Sequence, residues 1–132
     1  MDIVIKTKYK KVISLLIIFV ILLSHSIIPV KASSDYYEST YNGYLYDCRS
    51  EFNGPVEVYA EMSYQGQTRI SVEIEFQLYD DDLGYPVVLN VESPISRSFV
   101  YVGVLATNTQ LFEWADYKYT IVPSVVYFVG LN

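Results

Sequence analysis

Two consecutive stretches alternate between apolar and polar side chains with a period of two, and that pattern restricts this part of the chain to half-buried β-strands. Val56, Val58, Ala60, Met62 and Tyr64 interleave with Glu57, Tyr59, Glu61 and Ser63. After Gln65-Gly66-Gln67, the set Ile70, Val72, Ile74, Phe76 and Leu78 interleaves with Ser71, Glu73, Glu75 and Gln77. Read directly, the two runs form a hairpin with a core-facing apolar side and a solvent side lined by glutamates, which blunt edge pairing. Tyr59 and Tyr79 then share the glutamate face.

The same alternation marks residues 42–52, where Tyr44, Tyr46, Cys48 and Phe52 oppose Asp47, Arg49 and Glu51, with a turn at Asn53-Gly54-Pro55. Shorter β-branched and aromatic runs cover residues 87–91, 98–106, 117–122 and 125–131, separated by Ser93-Pro94, a polar stretch and Pro123-Ser124. No segment sustains a helical period. The expected fold is all-β: a small antiparallel β-sandwich of immunoglobulin-like type with six to seven strands, a small open barrel being the alternative. The run at residues 125–131 has no charge, which predicts a strand buried on both faces; at an edge it would instead offer a pairing surface.

The N-terminus reads as an export signal. Lys6, Lys8, Lys10 and Lys11 precede an apolar run from Val12 to Leu23, and Val30-Lys31-Ala32 places small residues where a signal peptidase cuts. Residues 1–32 are therefore expected to be a signal helix removed between Ala32 and Ser33, residues 33–40 a flexible leader, and residues 41–132 the folded domain. The rival reading is a retained anchor, because the stretch from Val12 to Val30 approaches the roughly 20 apolar residues that span a bilayer. No cysteine lies near the cleavage position, which argues against lipid anchoring. The expected location is secreted, extracellular.

Removal of the signal changes the charge. The whole chain carries 9 basic and 15 acidic residues. Beyond residue 32 only Arg49, Arg69, Arg97 and Lys118 remain against 14 acids, a net charge of −10. That field repels phosphate backbones and excludes nucleic acid as a partner; membrane contact is expected only through the signal before cleavage. The single histidine, His25, leaves with the signal, and with it the usual general base and metal ligand. The lone Cys48 shares a strand face with aromatics and is expected buried and reduced.

The strand Val72-Glu73-Ile74-Glu75-Phe76-Gln77-Leu78-Tyr79 running into a polar loop, and the later Tyr117-Lys118-Tyr119, resemble the small secreted β-sandwich proteins of Gram-positive bacteria. The resemblance lies in strand patterning over residues 56–120 and implies no activity.

Three features are candidates for function. The loop Asp80-Asp81-Asp82-Leu83-Gly84 offers hard oxygens for calcium, but the ligand spacing of an EF-hand would require a glutamate at Val91, so a solvated loop is the preferred reading and no cofactor is expected. Tyr59, Tyr79 and Trp114 are candidate ligand-binding rings, since exposed aromatics stack on sugars or anchor protein partners. The third is catalysis by glutamates paired across the hairpin, among Glu57, Glu61, Glu73 and Glu75; it lacks a cleft and a positioned base. The reading preferred on these grounds is a non-enzymatic binding module for a protein or glycan. The alternatives are a structural or accessory protein of the cell envelope or spore surface that assembles by strand pairing, and a carboxylate-dependent hydrolase.

Overall fold

The computed structural model describes residues 32–132; the signal expected over the preceding residues lies outside them. The described residues form eight strands: β1 (Ala32–Tyr41), β2 (Tyr44–Asn53), β3 (Glu57–Tyr64), β4 (Ile70–Asp80), β5 (Tyr85–Glu92), β6 (Phe99–Leu105), β7 (Gln110–Ile121) and β8 (Ser124–Leu131). They make two antiparallel four-stranded sheets, in the orders β1-β2-β3-β6 and β5-β4-β7-β8. The inner faces meet in one core. Val58, Ala60 and Met62 of the first sheet and Ile70, Val72, Ile74, Tyr117, Tyr119 and Ile121 of the second are fully buried there. Among the described residues no helix is long and apolar enough to cross a membrane.

Five expectations are corrected. The stretch 33–40 is not a leader: it is the body of β1, paired along its length with β2 from Ala32 opposite Asn53 to Tyr41 opposite Tyr44. The turn joining them is Asn42-Gly43, both with positive φ (51° and 80°), the pairing of residues that a tight hairpin selects. Recognising that dipeptide would have revealed β1, and the strand count is eight, above the six to seven expected.

β3 and β4 do not form a hairpin. β3 pairs with β2 and β6, and β4 with β5 and β7, so residues 65–69 carry the chain from one sheet to the other. Period-two alternation requires one buried face for each strand; two such faces satisfy it equally well side by side or opposed across a core. Gly66 fits that crossing because a Cβ there would collide with the Tyr64 ring.

The strand order also departs from the immunoglobulin order, in which the second strand pairs with the fifth. Here β1, β2 and β3 form a simple meander, with β6 added at its edge.

Finally, β8 is an edge strand, paired only with β7. Its inner residues Val126, Tyr127, Val129 and Leu131 pack on the core, while Val125 and Phe128 are 55% and 59% exposed on the outer face. The uncharged sequence therefore reflects a one-sided edge, against the expected burial on both faces.

Much of the tyrosine content bolts the two sheets together. From β7, the Tyr117 hydroxyl donates to the Glu51 carbonyl at 2.6 Å and that of Tyr119 to the Arg49 carbonyl at 2.7 Å, beside Ser50 Oγ at 2.5 Å. Tyr127 of β8 donates to Asp35 Oδ2 of β1 at 2.6 Å, and its ring stacks on Tyr37 at 4.0 Å between centroids. A phenol buries a large ring and still satisfies its one polar atom, which suits a core crossed by backbone acceptors. Burial pushes the Tyr117 and Tyr119 hydroxyls well above the usual phenol range, and the hydrogen bond to Asp35, with lesser burial, pushes Tyr127 up to about 12. Cys48 lies fully buried in this layer as a free thiol, its pKa raised chiefly by burial.

Candidate functional site

Because β3 and β4 belong to different sheets, Tyr59 and Tyr79 lie on opposite outer faces of the sandwich, and the single aromatic strip expected from their shared alternation does not form. The same separation removes the expected pairing of Glu57 and Glu61 with Glu73 and Glu75.

Tyr59 is half-buried in the first sheet. Its hydroxyl donates to the Glu61 carboxylate and its ring packs on Tyr101 of β6 at 4.9 Å. Arg49 of β2 lies beside them, 2.6 Å from Glu51 and 3.8 Å from Glu61. The charges on this patch are therefore compensated locally.

Tyr79 and Trp114 do share a face, the outer side of the second sheet. Tyr79 sits between Pro86 of β5 and Leu111 of β7, and Gln77 between Val88 and Trp114. Trp114 points outward because of a β-bulge in the β4–β7 ladder at Gln77/Leu78. Phe112 and Ala115 are both buried, so Glu113 and Trp114 both fall on the outer side. Gln77 Nε2 donates to Glu113 at 3.1 Å and holds the bulge.

From Trp114 the outer face continues as a shallow groove. One recess of about 290 Å³ is lined by Trp114, Asp116, Gly130, Leu131 and Asn132, and a second of about 180 Å³ by Glu73, Glu75, Asp116, Lys118 and Phe128. Asp116 belongs to both. Gly130, opposite it on β8, makes room: a Cβ there would stand 2.7 Å from Asp116 Oδ1.

The charges in the groove are unbalanced. Lys118 Nζ pairs with Glu73 at 3.0 Å, but Glu75 and Asp116 stand directly opposite each other on β4 and β7. Like charges in that relation, about 5 Å apart at Cβ, destabilise a sheet. Trp114 and Phe128 flank the acids, Phe128 being the register partner of Lys118, four residues along β7 from Trp114 and so about 13 Å away. Only Trp114 among these was singled out from sequence as a binding residue. Asp116, Gly130 and Phe128 had no local signal, since they meet only through the β4–β7–β8 register.

The acidic loop is used by the fold. Asp80 Oδ1 accepts the Asp82 N–H at 2.9 Å and Oδ2 accepts Gln110 Nε2 at 3.1 Å, and these bonds, that from Gln110 first, hold its carboxyl below the usual range. Asp81 and Asp82 are exposed and do not converge on it: no group of three His, Cys, Asp or Glu among the described residues could hold a metal ion. Ala32 and Ser33, the expected cleavage pair, open β1, where Ser33 Oγ donates to the Asn132 carbonyl at 3.1 Å.

No family model, curated protein or solved structure matches this chain.

Proposed function

We propose that the chain is an exported, non-enzymatic binding module whose ligand is a glycan bearing free amino groups, held along the outer groove of the second sheet. The observation that carries this reading is the opposed pair Glu75 and Asp116 with Trp114 and Phe128 at either end. An unneutralised carboxylate pair attracts cations, aromatic faces attract both cations and the apolar faces of sugar rings, and a net negative domain concentrates such ligands nearby. The basic and apolar N-terminal segment supports export, and the resemblance to secreted Gram-positive proteins suggests a cell-envelope setting. A binding role accords with a flat, open groove, where a hydrolase requires opposed walls around the bond to be cut.

The test is titration with an amino-sugar oligomer and with its N-acetylated counterpart. The free-amine form is expected to bind, and Trp114→Ala or Asp116→Asn to weaken it about tenfold or more, as removal of an anchor does. Equal binding of both forms would remove the role of the carboxylates, and binding of a lysine-rich peptide but neither sugar would shift the reading to a protein partner.

A further inference from the structure

The groove on the second sheet already contains an ammonium group of its own. Lys118 is the single base in β4, β5, β7 and β8, and it lines the recess that Phe128 also lines. Its neighbours are three acids and one ring. Glu73 stands opposite it on β4 and Phe128 opposite it on β8, while Glu75 lies on the diagonal and Asp116 two residues back along β7. Of the three carboxylates, Glu73 alone is served on both oxygens: Oε2 is 3.0 Å from Lys118 Nζ, and Oε1 accepts Asn90 Nδ2 at 3.5 Å. Among the described residues no side-chain donor reaches Glu75 or Asp116.

We propose that Lys118 sets the charge pattern of the ligand: one free amino group, held between Glu75 and Asp116, next to an uncharged ring over Phe128. That is the pattern of a partly N-acetylated amino-sugar chain. This specificity rests on the glycan reading, which it refines. Glu75 and Asp116 are directly opposed, about 5 Å apart at Cβ, so one ammonium between them relieves both. A second ammonium, over Phe128, would need Glu73, which Lys118 holds, and would stand beside Nζ as a like charge at short range. An aromatic face accepts either a cation or the apolar face of a sugar ring. Because Lys118 supplies a cation at the Phe128 end, the uncharged ring is the better match there.

Calorimetric titration of the purified protein tests it, at a pH where the amines are protonated and in salt that screens the net charge of the domain. Two oligomers of equal length are compared, one with every amine free and one with a single free amine and the rest N-acetylated. The wild type is expected to bind both and to favour the single-amine oligomer. Lys118→Gln should shift that ratio toward the fully free oligomer by about fivefold, the size of a good surface ion pair. Lys118→Arg, which keeps the charge, should retain the wild-type ratio. Arg49→Gln removes the same charge from the opposite outer face and should not move it. Thermal melts establish that the variants fold, and Lys118→Met gives a second version of the neutral change. A ratio unmoved in Lys118→Gln, or moved equally in Arg49→Gln, would overturn the role of Lys118 and leave the glycan reading in place. Failure of the wild type to bind either oligomer would overturn that reading itself.

Discussion

Two patches on the outer faces of the sandwich, one around Arg49, Glu51 and Glu61 and one around Lys118, Glu73, Glu75 and Asp116, are built from the same residue types and dispose of their charges differently. On the first sheet Arg49 serves Glu51 and Glu61, and the Tyr59 hydroxyl also bonds Glu61, so both of these acids have a donor. On the second sheet Lys118 serves Glu73 alone, leaving Glu75 against Asp116. Composition cannot separate these faces; a glutamate beside a tyrosine occurs on both. What differs is the cross-strand partner, set by register: among the described residues Glu38 opposes Asp47 on the first face without a flanking groove, whereas Glu75 opposes Asp116 within the recesses between Trp114 and Phe128.

That contrast requires both faces to be true surfaces over one core. Replacing Phe76, which is buried and meets Phe112 edge-to-face at 5.3 Å, with alanine should cost about 3 to 5 kcal/mol through lost burial and a residual cavity. Tyr59→Ala and Tyr79→Ala, one on each outer face, should each cost well under about 1.5 kcal/mol. Denaturant melts of the three variants decide it. Tyrosine variants as unstable as the Phe76 variant would make the outer rings part of the core and erase the distinction between the faces.

The inner tyrosines provide a second lever. An unfolded phenol ionises near pH 10. Tyr127 is held up to about 12, and Tyr117 and Tyr119 are raised further by burial, so the folded state resists ionisation. The sign follows: the stability these hydroxyls contribute is complete below pH 10 and is lost as pH rises from there through 12. Tyrosinate absorbance and circular dichroism followed together should show a late ionisation step that coincides with unfolding. Full ionisation of every tyrosine with the sheet signal intact would mean that the hydroxyl contacts between the sheets are not holding.

Strand positions were legible because burial of one face imposes alternation: the runs at 56–64 and 70–78 are β3 and β4 almost to the residue. Strand partners were not, since alternation carries no information about which neighbour supplies the hydrogen bonds, and the five residues between Tyr64 and Ile70 allow a turn within a sheet or a passage between sheets. β1 was missed for the opposite reason. Its polar residues suggest a leader, although Tyr37 and Tyr41 alternate inward and Asn42-Gly43 closes the hairpin. In the groove, Trp114 stood out as the single tryptophan, but its outward aim comes from a bulge opposite Gln77 that no local pattern announces. Asp116, Gly130 and Phe128 come together only once β7 has β4 on one side and β8 on the other.

The smallest effect discriminates best between the faces. If Glu75 and Asp116 repel, removing one charge without changing shape should help the fold, so Glu75→Gln should stabilise the protein by about 0.2 to 1 kcal/mol. The matching change on the first sheet, Glu51→Gln, removes a carboxylate that Arg49 contacts at 2.6 Å and should do the reverse, by no more than an exposed ion pair contributes. Raising the salt concentration should shrink both differences, because both are electrostatic and lie at the surface. Opposite signs from two glutamate-to-glutamine changes cannot come from a general gain in strand propensity or a general loss of surface charge, which would act alike on both. If Glu75→Gln destabilises as Glu51→Gln does, the acid pair already has a compensating donor, the two faces are equivalent, and the electrostatic reason for placing a cationic ligand between Trp114 and Phe128 is gone.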